Sequence, residues 1–517
     1  MRRQAVIDLG SNSFRLVVFS WQAGEDRPGW WRRTDEIYEA VRIGEGLEET
    51  GELQPEPMGR ALQTLELYAH YCASTEITDV RAVATSAIRD AANQAEFLAS
   101  AQERSGLSIE VLSTAEEARY GYLAAVNTTT LADGVALDLG GGSMQLTQVA
   151  SRLARASGSW GLGAVRMTER FLLDKRASKK QIKALRAHVR EELERDAPWL
   201  VGAGTHGGRI TGIGGTVRNL AAAAEIAGRL PSFGVQGFCL ERDAVDELVS
   251  RFSEMTPAER RKVPGVKPAR ADLILAGSVV VQTILHLGAF DALEVTEAGL
   301  REGVFFSTLL AGEDPPLVDD VRGAGVRNLA AQYDTDFAHV EHVARLALQM
   351  FDALSRAGLH PGDPEERDLL WAAALLHDIG VAVDYDDHHK HSRYLILNAG
   401  LPGYSTRQTA LIGQMARYHR KGSPGLGEYA AIAHKGDDAL IVRCSALLRV
   451  AEQLERSRDR AVRDAHMDAT DDTVRLRLES GDGAPLARWA AEREGGLFER
   501  AFGRRLEVAS APAVAGV

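Results

Sequence analysis

Two aspartates, Asp8 and Asp138, head two copies of one chemical device. The stretch Ala5-Val6-Ile7-Asp8-Leu9-Gly10-Ser11-Asn12-Ser13-Phe14-Arg15-Leu16 recurs in outline as Val135-Ala136-Leu137-Asp138-Leu139-Gly140-Gly141-Gly142-Ser143-Met144-Gln145-Leu146. In each copy an apolar strand delivers one carboxylate to a tight turn, a run of glycine or small residues exposes backbone N–H groups, and a second alternating strand leaves. Exposed N–H groups bind phosphate oxygens, and a carboxylate beside them can hold hydrated Mg²⁺. Two such hairpins facing each other across a cleft would clamp a phosphate chain together with its metal.

Each donor in these turns has a plainer alternative. A strand-end Asp can simply satisfy its own turn, but the repetition argues against that for the pair. Ser11, Asn12 and Ser13 in the first copy, and Gly141, Gly142 and Ser143 in the second, supply the donors. A third turn, Thr211-Gly212-Ile213-Gly214-Gly215-Thr216-Val217-Arg218, follows an apolar strand and precedes a helix, so an anion could sit on its N–H groups. A tight strand-to-helix connection explains the same glycines. Arg89, just past a strand in Thr85–Asp90, could place a bidentate fork on a terminal phosphate. Glu116 and Glu117 open a helix, where the dipole alone favours carboxylates.

The 517 residues are 45% hydrophobic and 26% charged, which is globular material sufficient for several domains. The net charge of −12 argues against general nucleic-acid binding, so a polyanionic ligand needs local cations. Candidates are Arg32-Arg33, the run Lys175/Arg176/Lys179/Lys180/Lys183/Arg186, Arg260-Arg261-Lys262 with Lys267 and Arg270, and His388-His389-Lys390-His391, each of which could equally be a solvated face. Three scattered cysteines give no disulfide framework and no metal spacing. The apolar run after Met1-Arg2-Arg3-Gln4 is broken at Asp8, so neither a signal peptide nor a membrane span is expected, and a cytoplasmic location fits.

Along the chain, residues 1–125 read as a hairpin followed by βα alternation: helix from Met58 to Ala73, strand Asp79–Ala84, helix Asn93–Arg104, strand Ser108–Leu112 and a helix opening near Ala115. Residues 126–310 repeat the device and add a basic helix, Lys179–Arg195, a strand at Arg209–Ile213, helices Pro268–Leu287 and Leu300–Leu310, and a strand at Ala292–Val295. Ala311–Pro316 is a linker signal. Residues 311–465 are helical in period and rich in histidine, and 466–517 read as a small α+β appendage: Val474–Leu478, Pro485–Arg493, Leu506–Ala509 and a tail Ala511–Val517.

The ordered motifs Asp8–Arg15, Ala84–Arg89, Glu116-Glu117-Ala118, Asp138–Ser143 and Gly212–Thr216 resemble the exopolyphosphatase / guanosine pentaphosphate phosphohydrolase family, within the acetate and sugar kinase, Hsp70 and actin superfold. The resemblance covers about residues 4–310. It implies an α/β fold of two actin-like, ribonuclease H-like domains with a cleft between them, then an all-α HD-like domain and the small appendage. It also implies Mg²⁺-dependent hydrolysis of a terminal phosphoanhydride. In that scheme Asp8 and Asp138 hold the metal and Glu117 orients or deprotonates water. Arg89 grips phosphate with Ser11, Asn12, Ser13, Arg15, Gly140, Gly141, Gly142, Ser143, Gly214, Gly215 and Thr216. K⁺ is a candidate activator. The family usually writes Glu where this chain has Gln145, and an amide can orient water but cannot accept its proton.

In the helical part, His377-Asp378 and Tyr385–Ser392 resemble HD-type phosphohydrolases, which implies a metal set of His339, His377, Asp378, His419 and Glu452. Glu452 stands where that pattern has Asp, and the domain reads equally well as a retained scaffold. In that case His388–His391 and Arg417–Lys421 would form a basic lip for a long polyphosphate.

The leading expectation is therefore an exopolyphosphatase acting on inorganic polyphosphate. The alternatives are a guanosine pentaphosphate 5′-phosphatase using the same cleft, a sensor disabled by Gln145, and an actin-like kinase. A homodimer formed through the helical domain is the expected assembly.

Overall fold

The continuous apolar run Ala5–Leu9 forms the heart of β1 (Arg2–Leu9) and is buried on nearly every residue, as a central strand covered on both faces must be. The structure, a computed structural model, describes residues 1–24, 29–172, 176–205, 207–480 and 484–510. The chain divides into two compact units, one of residues 1–22 and 31–321, the other of 23–30 and 322–517.

In the first unit β1 pairs antiparallel with β2 (Phe14–Gln22), and β3 (Trp30–Glu39) lies beyond β2. On the other side of β1 lie β4 (Val80–Ala84) and β5 (Ile109–Val111), both parallel to their neighbours, giving the order β3-β2-β1-β4-β5. Helices α1 (Pro55–Ser74) and α2 (Gln94–Ser105) connect these strands, and α3 (Thr114–Thr128) follows them. The second sheet repeats the plan. Its β6 (Gly134–Leu139) pairs with β7 (Met144–Ala150), which pairs with β8 (Leu153–Trp160), and on the other side of β6 run β9 (Arg209–Ile213) and β11 (Ala292–Val295). A short β10 (Cys239–Glu241) adds an antiparallel edge. The helices of this half include α4 (Lys179–Asp196), α5 (Gly215–Ala227), α6 (Ile274–Gly288) and α7 (Leu300–Leu309).

A shared apolar cluster joins the two sheets. It contains Val6, Val17 and Phe19 from the first sheet, Ala136, Val149 and Ile213 from the second, and Leu123, Val304 and Phe305 from α3 and α7. The Phe19 and Phe305 rings stack with centroids 4.3 Å apart. Gly303 lets α7 press on the carbonyl of Tyr120, where any Cβ would collide with backbone.

The second unit is mostly helical from Arg322 to Leu454. Its members include α8 (Phe337–Arg356), α9 (Pro364–Leu376), α10 (His388–Asn398), α11 (Thr406–Tyr418) and α12 (Asp437–Leu454). It ends in a three-stranded sheet of β12 (Val462–Ala469), β13 (Thr473–Ser480) and β14 (Arg505–Ser510), with β13 and β14 parallel and joined through α13 (Pro485–Glu492) and α14 (Gly495–Phe502). The strands β3, β8, β10 and β12 are additions to the sequence reading. They lie at or near sheet edges, where half-polar strands such as Trp30–Glu39 need no apolar run to pair. The helix expected over Pro268–Leu287 begins at Ile274, after a single 3₁₀ turn at Pro268–Arg270. The expected tail Ala511–Val517 and Lys175 of the basic run lie outside the described residues. No helix among the described residues is long and apolar enough to cross a membrane.

Candidate active site

The two hairpins have the same register. Asp8 stands opposite Arg15 across β1 and β2, and Asp138 stands opposite Gln145 across β6 and β7. Their turns meet, because a Cβ on Gly142 would lie 2.5 Å from Ser86 Oγ and 2.7 Å from Ser11 Oγ. One on Gly141 would lie 3.4 Å from the Asn12 nitrogen. Both carboxylates therefore line a single open cleft, together with Ser11, Asn12, Ser13, Gly140, Gly141 and Ser143. Gly121 of α3 backs Asp138, its Cβ position only 3.1 Å from Oδ2, so no larger side chain could stand behind that carboxylate.

Glu117 sits in the same cleft and is held on both oxygens. Arg89 Nη1 donates to Oε2 at 2.8 Å, and Ser143 Oγ donates to Oε1 at 3.0 Å. The helix that carries it is started by a capping box: Ser113 Oγ accepts from the Glu116 amide at 3.2 Å, and Glu116 accepts from the Ser113 amide at 2.9 Å. Glu116 is thereby spent on the cap, and Glu117 is the one turned inward. Gln145 Nε2 donates to Ser143 Oγ at 3.0 Å and to Ser159 Oγ at 3.1 Å. A relay thus runs from Gln145 through Ser143 to Glu117, and the amide supports the carboxylate without replacing it.

Three buried acids share one cleft, and burial raises each of them. Burial pushes Asp138 up to about 7, and the charges of Glu117 and Asp8 add to it. Burial also raises Glu117 against the pull of Arg89, and raises Asp8 against the pull of Arg301, whose Nη1 lies 3.4 Å from Asp8 Oδ2. A set of hard carboxylate oxygens that destabilise one another's charge fits a small divalent cation such as Mg²⁺.

Facing these acids are Arg15, Arg218, Arg270 and Arg301. Burial and mutual repulsion lower Arg15 and Arg270, and take Arg218 down to about 10. Arg270 lies directly over Gly215 at the start of α5, and Gly214 adopts φ +105° against the Leu139 carbonyl. The first turn of α5 thus presents its N–H groups to the cleft beside a guanidinium.

Of the residues singled out from sequence, Arg89, Gly142 and Thr216 stand behind the cleft wall rather than on it. The Arg89 guanidinium binds Glu117 and the Leu112 carbonyl, and Thr216 packs on Gly277 of α6. Arg270, one of the cations the sequence offered for a polyanionic ligand, lines the cleft, whereas Arg218 and Arg301 are not among the sequence candidates for phosphate. Arg218, three residues past Gly215, carried a usable signal, since it falls on the first turn of the helix that starts there. Arg301 carried none, because only the fold brings α7 beneath β1.

In the helical unit, His339, His377, Asp378, His419 and Glu452 come together, and His388 joins them. His388 and His389 are buried, so they form no basic lip; Lys390, Arg420 and Lys421 are the exposed cations of those segments.

Residues 33–311 match the family described as the Ppx/GppA phosphatase family. The chain belongs to it. Residues 321–490 match Ppx/GppA phosphatase domain III. A Ppx/GppA family member from Aquifex aeolicus aligns at TM-score 0.51 and 29% identity, over 60% of this chain and 99% of its own. An exopolyphosphatase from Cytophaga hutchinsonii aligns at TM-score 0.54 and 24% identity, over 60% and 98%, and shares the fold. This Ppx/GppA protein is thus mixed α/β with a helical C-terminal region, and its family supports a phosphatase of polyphosphate or guanosine polyphosphates.

Proposed function

We propose that the chain is an exopolyphosphatase that releases terminal phosphate from inorganic polyphosphate. The observation that carries this reading is the lining of the cleft: four arginines face three acids, while apolar side chains are confined to Leu139, Ile213 and Leu300. A linear polyanion needs cations along its length. A nucleobase needs an apolar face, and the lining offers little of one.

Asp8 and Asp138 are the residues that would hold Mg²⁺, which when bound neutralises charge on the phosphate oxygens. The terminal phosphoryl group would rest on the turn amides of the two hairpins and of α5, with Arg15, Arg218, Arg270 and Arg301 around it. Phosphoryl transfer goes through a loose transition state, so positioning and charge neutralisation carry most of the catalysis. Glu117, fixed by Arg89 and Ser143 and raised by burial, would accept a hydrogen bond from the attacking water in line with the leaving oxygen and take its proton. Ser143, oriented by Gln145, keeps the carboxylate in that pose. The helical unit, read as HD-like, is a separate part of the proposal.

The deciding measurement is phosphate release from polyphosphates of defined length and from guanosine pentaphosphate, with Mg²⁺ titrated. Higher kcat/KM on polyphosphate is expected. Preference for the nucleotide would assign the same cleft to the 5′-phosphatase alternative, and binding of polyphosphate without turnover would make the protein a sensor.

A further inference from the structure

The start of α7 is fixed with unusual care. Glu302 Oε2 accepts from the Gly299 amide at 2.8 Å, which holds the first turn. One residue on, Gly303 presses on the Tyr120 carbonyl of α3, and the next residue of that helix, Gly121, presses on Asp138 Oδ2. The two helices thus meet at glycines directly behind Asp138. Their meeting sets Arg301 in the cleft lining, 5% exposed, with Nη1 3.4 Å from Asp8 Oδ2.

That contact is loose for a charge-assisted bond. A guanidinium seated on a carboxylate closes to about 2.7–2.9 Å, often through two parallel bonds. Neighbouring arginines are tied more tightly: Arg89 Nη1 donates to Glu117 at 2.8 Å, Arg15 Nη1 to Glu36 at 3.0 Å, and Arg218 Nη1 to the Glu297 carbonyl at 2.6 Å. Arg301 differs from all three. Among the described residues its one hydrogen-bond acceptor is Asp8, and its Nε is buried without a partner. A planar group with five donors, nearly sealed from water, keeps donors in reserve here. Unused buried donors are unfavourable, and an anion in the cleft would offset that cost.

The two aspartates differ in the same respect. Asp8 has a cation against it, whereas Asp138 forms no ion pair among the described residues. A guanidinium and a divalent ion on one buried carboxylate repel each other, so they compete for it. Phosphate relieves the competition, because its oxygens can take the guanidinium that the ion displaces.

We propose that Arg301 is a resident counter-cation of Asp8, which neutralises that carboxylate until Mg²⁺ replaces it and then gives its guanidinium to a phosphoryl oxygen. The inference rests on the proposed use of Asp8 and Asp138 to hold the ion. It makes Arg301 a coupling residue. Bare Mg²⁺ and bare polyanion are each held weakly, because each leaves a buried charge unmatched, and the two together are held strongly.

Two simpler roles predict different behaviour. If the pair with Asp8 were only structural, removing Arg301 would leave an unmatched carboxylate in a disturbed site and would not improve cation binding. If Arg301 served only as a phosphate ligand, its removal would leave cation binding unchanged.

The test titrates Mg²⁺ into the full chain by calorimetry, with and without inorganic phosphate, and takes the cleft's share as the heat lost in Asp138→Asn. Without phosphate, Arg301→Met should bind Mg²⁺ about tenfold more tightly than the natural protein. Phosphate should tighten Mg²⁺ binding about tenfold in the natural protein and no more than about threefold in the variant. Arg270→Gln removes a cation of the same wall that makes no contact with Asp8, and should change Mg²⁺ affinity no more than about twofold. Mg²⁺ should also raise the Tm of Arg301→Met further than that of the natural protein. Circular dichroism checks that the variants fold, and Arg301→Gln supplies the same comparison should the methionine variant fail to do so. Mg²⁺ affinity that is unchanged or weaker without Arg301, or a gain matched by Arg270→Gln, would overturn the coupling while leaving the cleft as the ion's site. If no heat were lost in Asp138→Asn, both the coupling and the assignment of the ion to the two aspartates would fall.

Discussion

Glu117 is the side chain whose loss should separate chemistry from binding. It makes no contribution to the cationic wall, so Glu117→Ala should lower kcat by about 100- to 10,000-fold while KM for polyphosphate stays within a few-fold; rates on defined-length polyphosphate check this, and a preserved kcat would remove Glu117 from the reaction. Asp138 makes a pH prediction whose sign follows from its raised value. Protonated below about 7, it must lose its proton before it can hold a cation, so the Mg²⁺ concentration for half-maximal rate should rise about tenfold per pH unit as pH falls below 7. The same shift acts on folding. The neutral acid is the form the buried site favours, so without Mg²⁺ the protein should lose stability as pH rises from about 4 through 7, and Asp138→Asn should flatten that dependence of Tm. Added Mg²⁺ at pH 8 should restore the Tm of the natural protein and leave that of the variant unmoved.

At the scale of elements, the site depends on three turns that approach too closely for side chains. Gly214 has φ +105° and its Cβ direction runs into the Leu139 carbonyl. Gly214→Ala must therefore shift the start of α5, costing on the order of 1–3 kcal/mol of stability and raising KM, because the α5 amides and Arg270 move with it. Thermal melts together with steady-state kinetics read both effects. These turns were legible before any coordinates, because a strand run followed by glycine announces itself locally, and the duplication of Asp8 in Asp138 gave the pairing of the hairpins. What was not legible was distant in sequence. Arg301 joins Asp8 only through the packing of α7, and Arg89 was readable as a phosphate fork until the fold placed Glu117 and the Leu112 carbonyl on its guanidinium. His388 read as part of a charged surface run because His-His-Lys-His is polar in composition; helical period carries its ring inward, and no local pattern shows which turn of α10 faces α11.

The molecule as a whole repels its proposed substrate. With a net charge of −12 spread over 517 residues, a long polyphosphate is drawn in only where Arg15, Arg218, Arg270 and Arg301 invert the local field. That opposition makes the rate sensitive to salt in a specific way. At about 0.1 M ionic strength the screening length is about 10 Å, which spares contacts inside the cleft and suppresses attraction beyond it. Raising NaCl at fixed free Mg²⁺ should therefore lower kcat/KM on polyphosphate through association, leaving kcat nearly constant. Arg270 is the residue with which to test the source of the field, since it holds none of the acids in the proposed chemistry and lies over the α5 N-terminus. Arg270→Gln should reduce kcat/KM at low salt and make it less responsive to salt. If the variant kept the full salt slope of the natural protein, the attraction would arise outside the arginine wall, and the cleft's charge could no longer be the reason for assigning a linear polyanion to it.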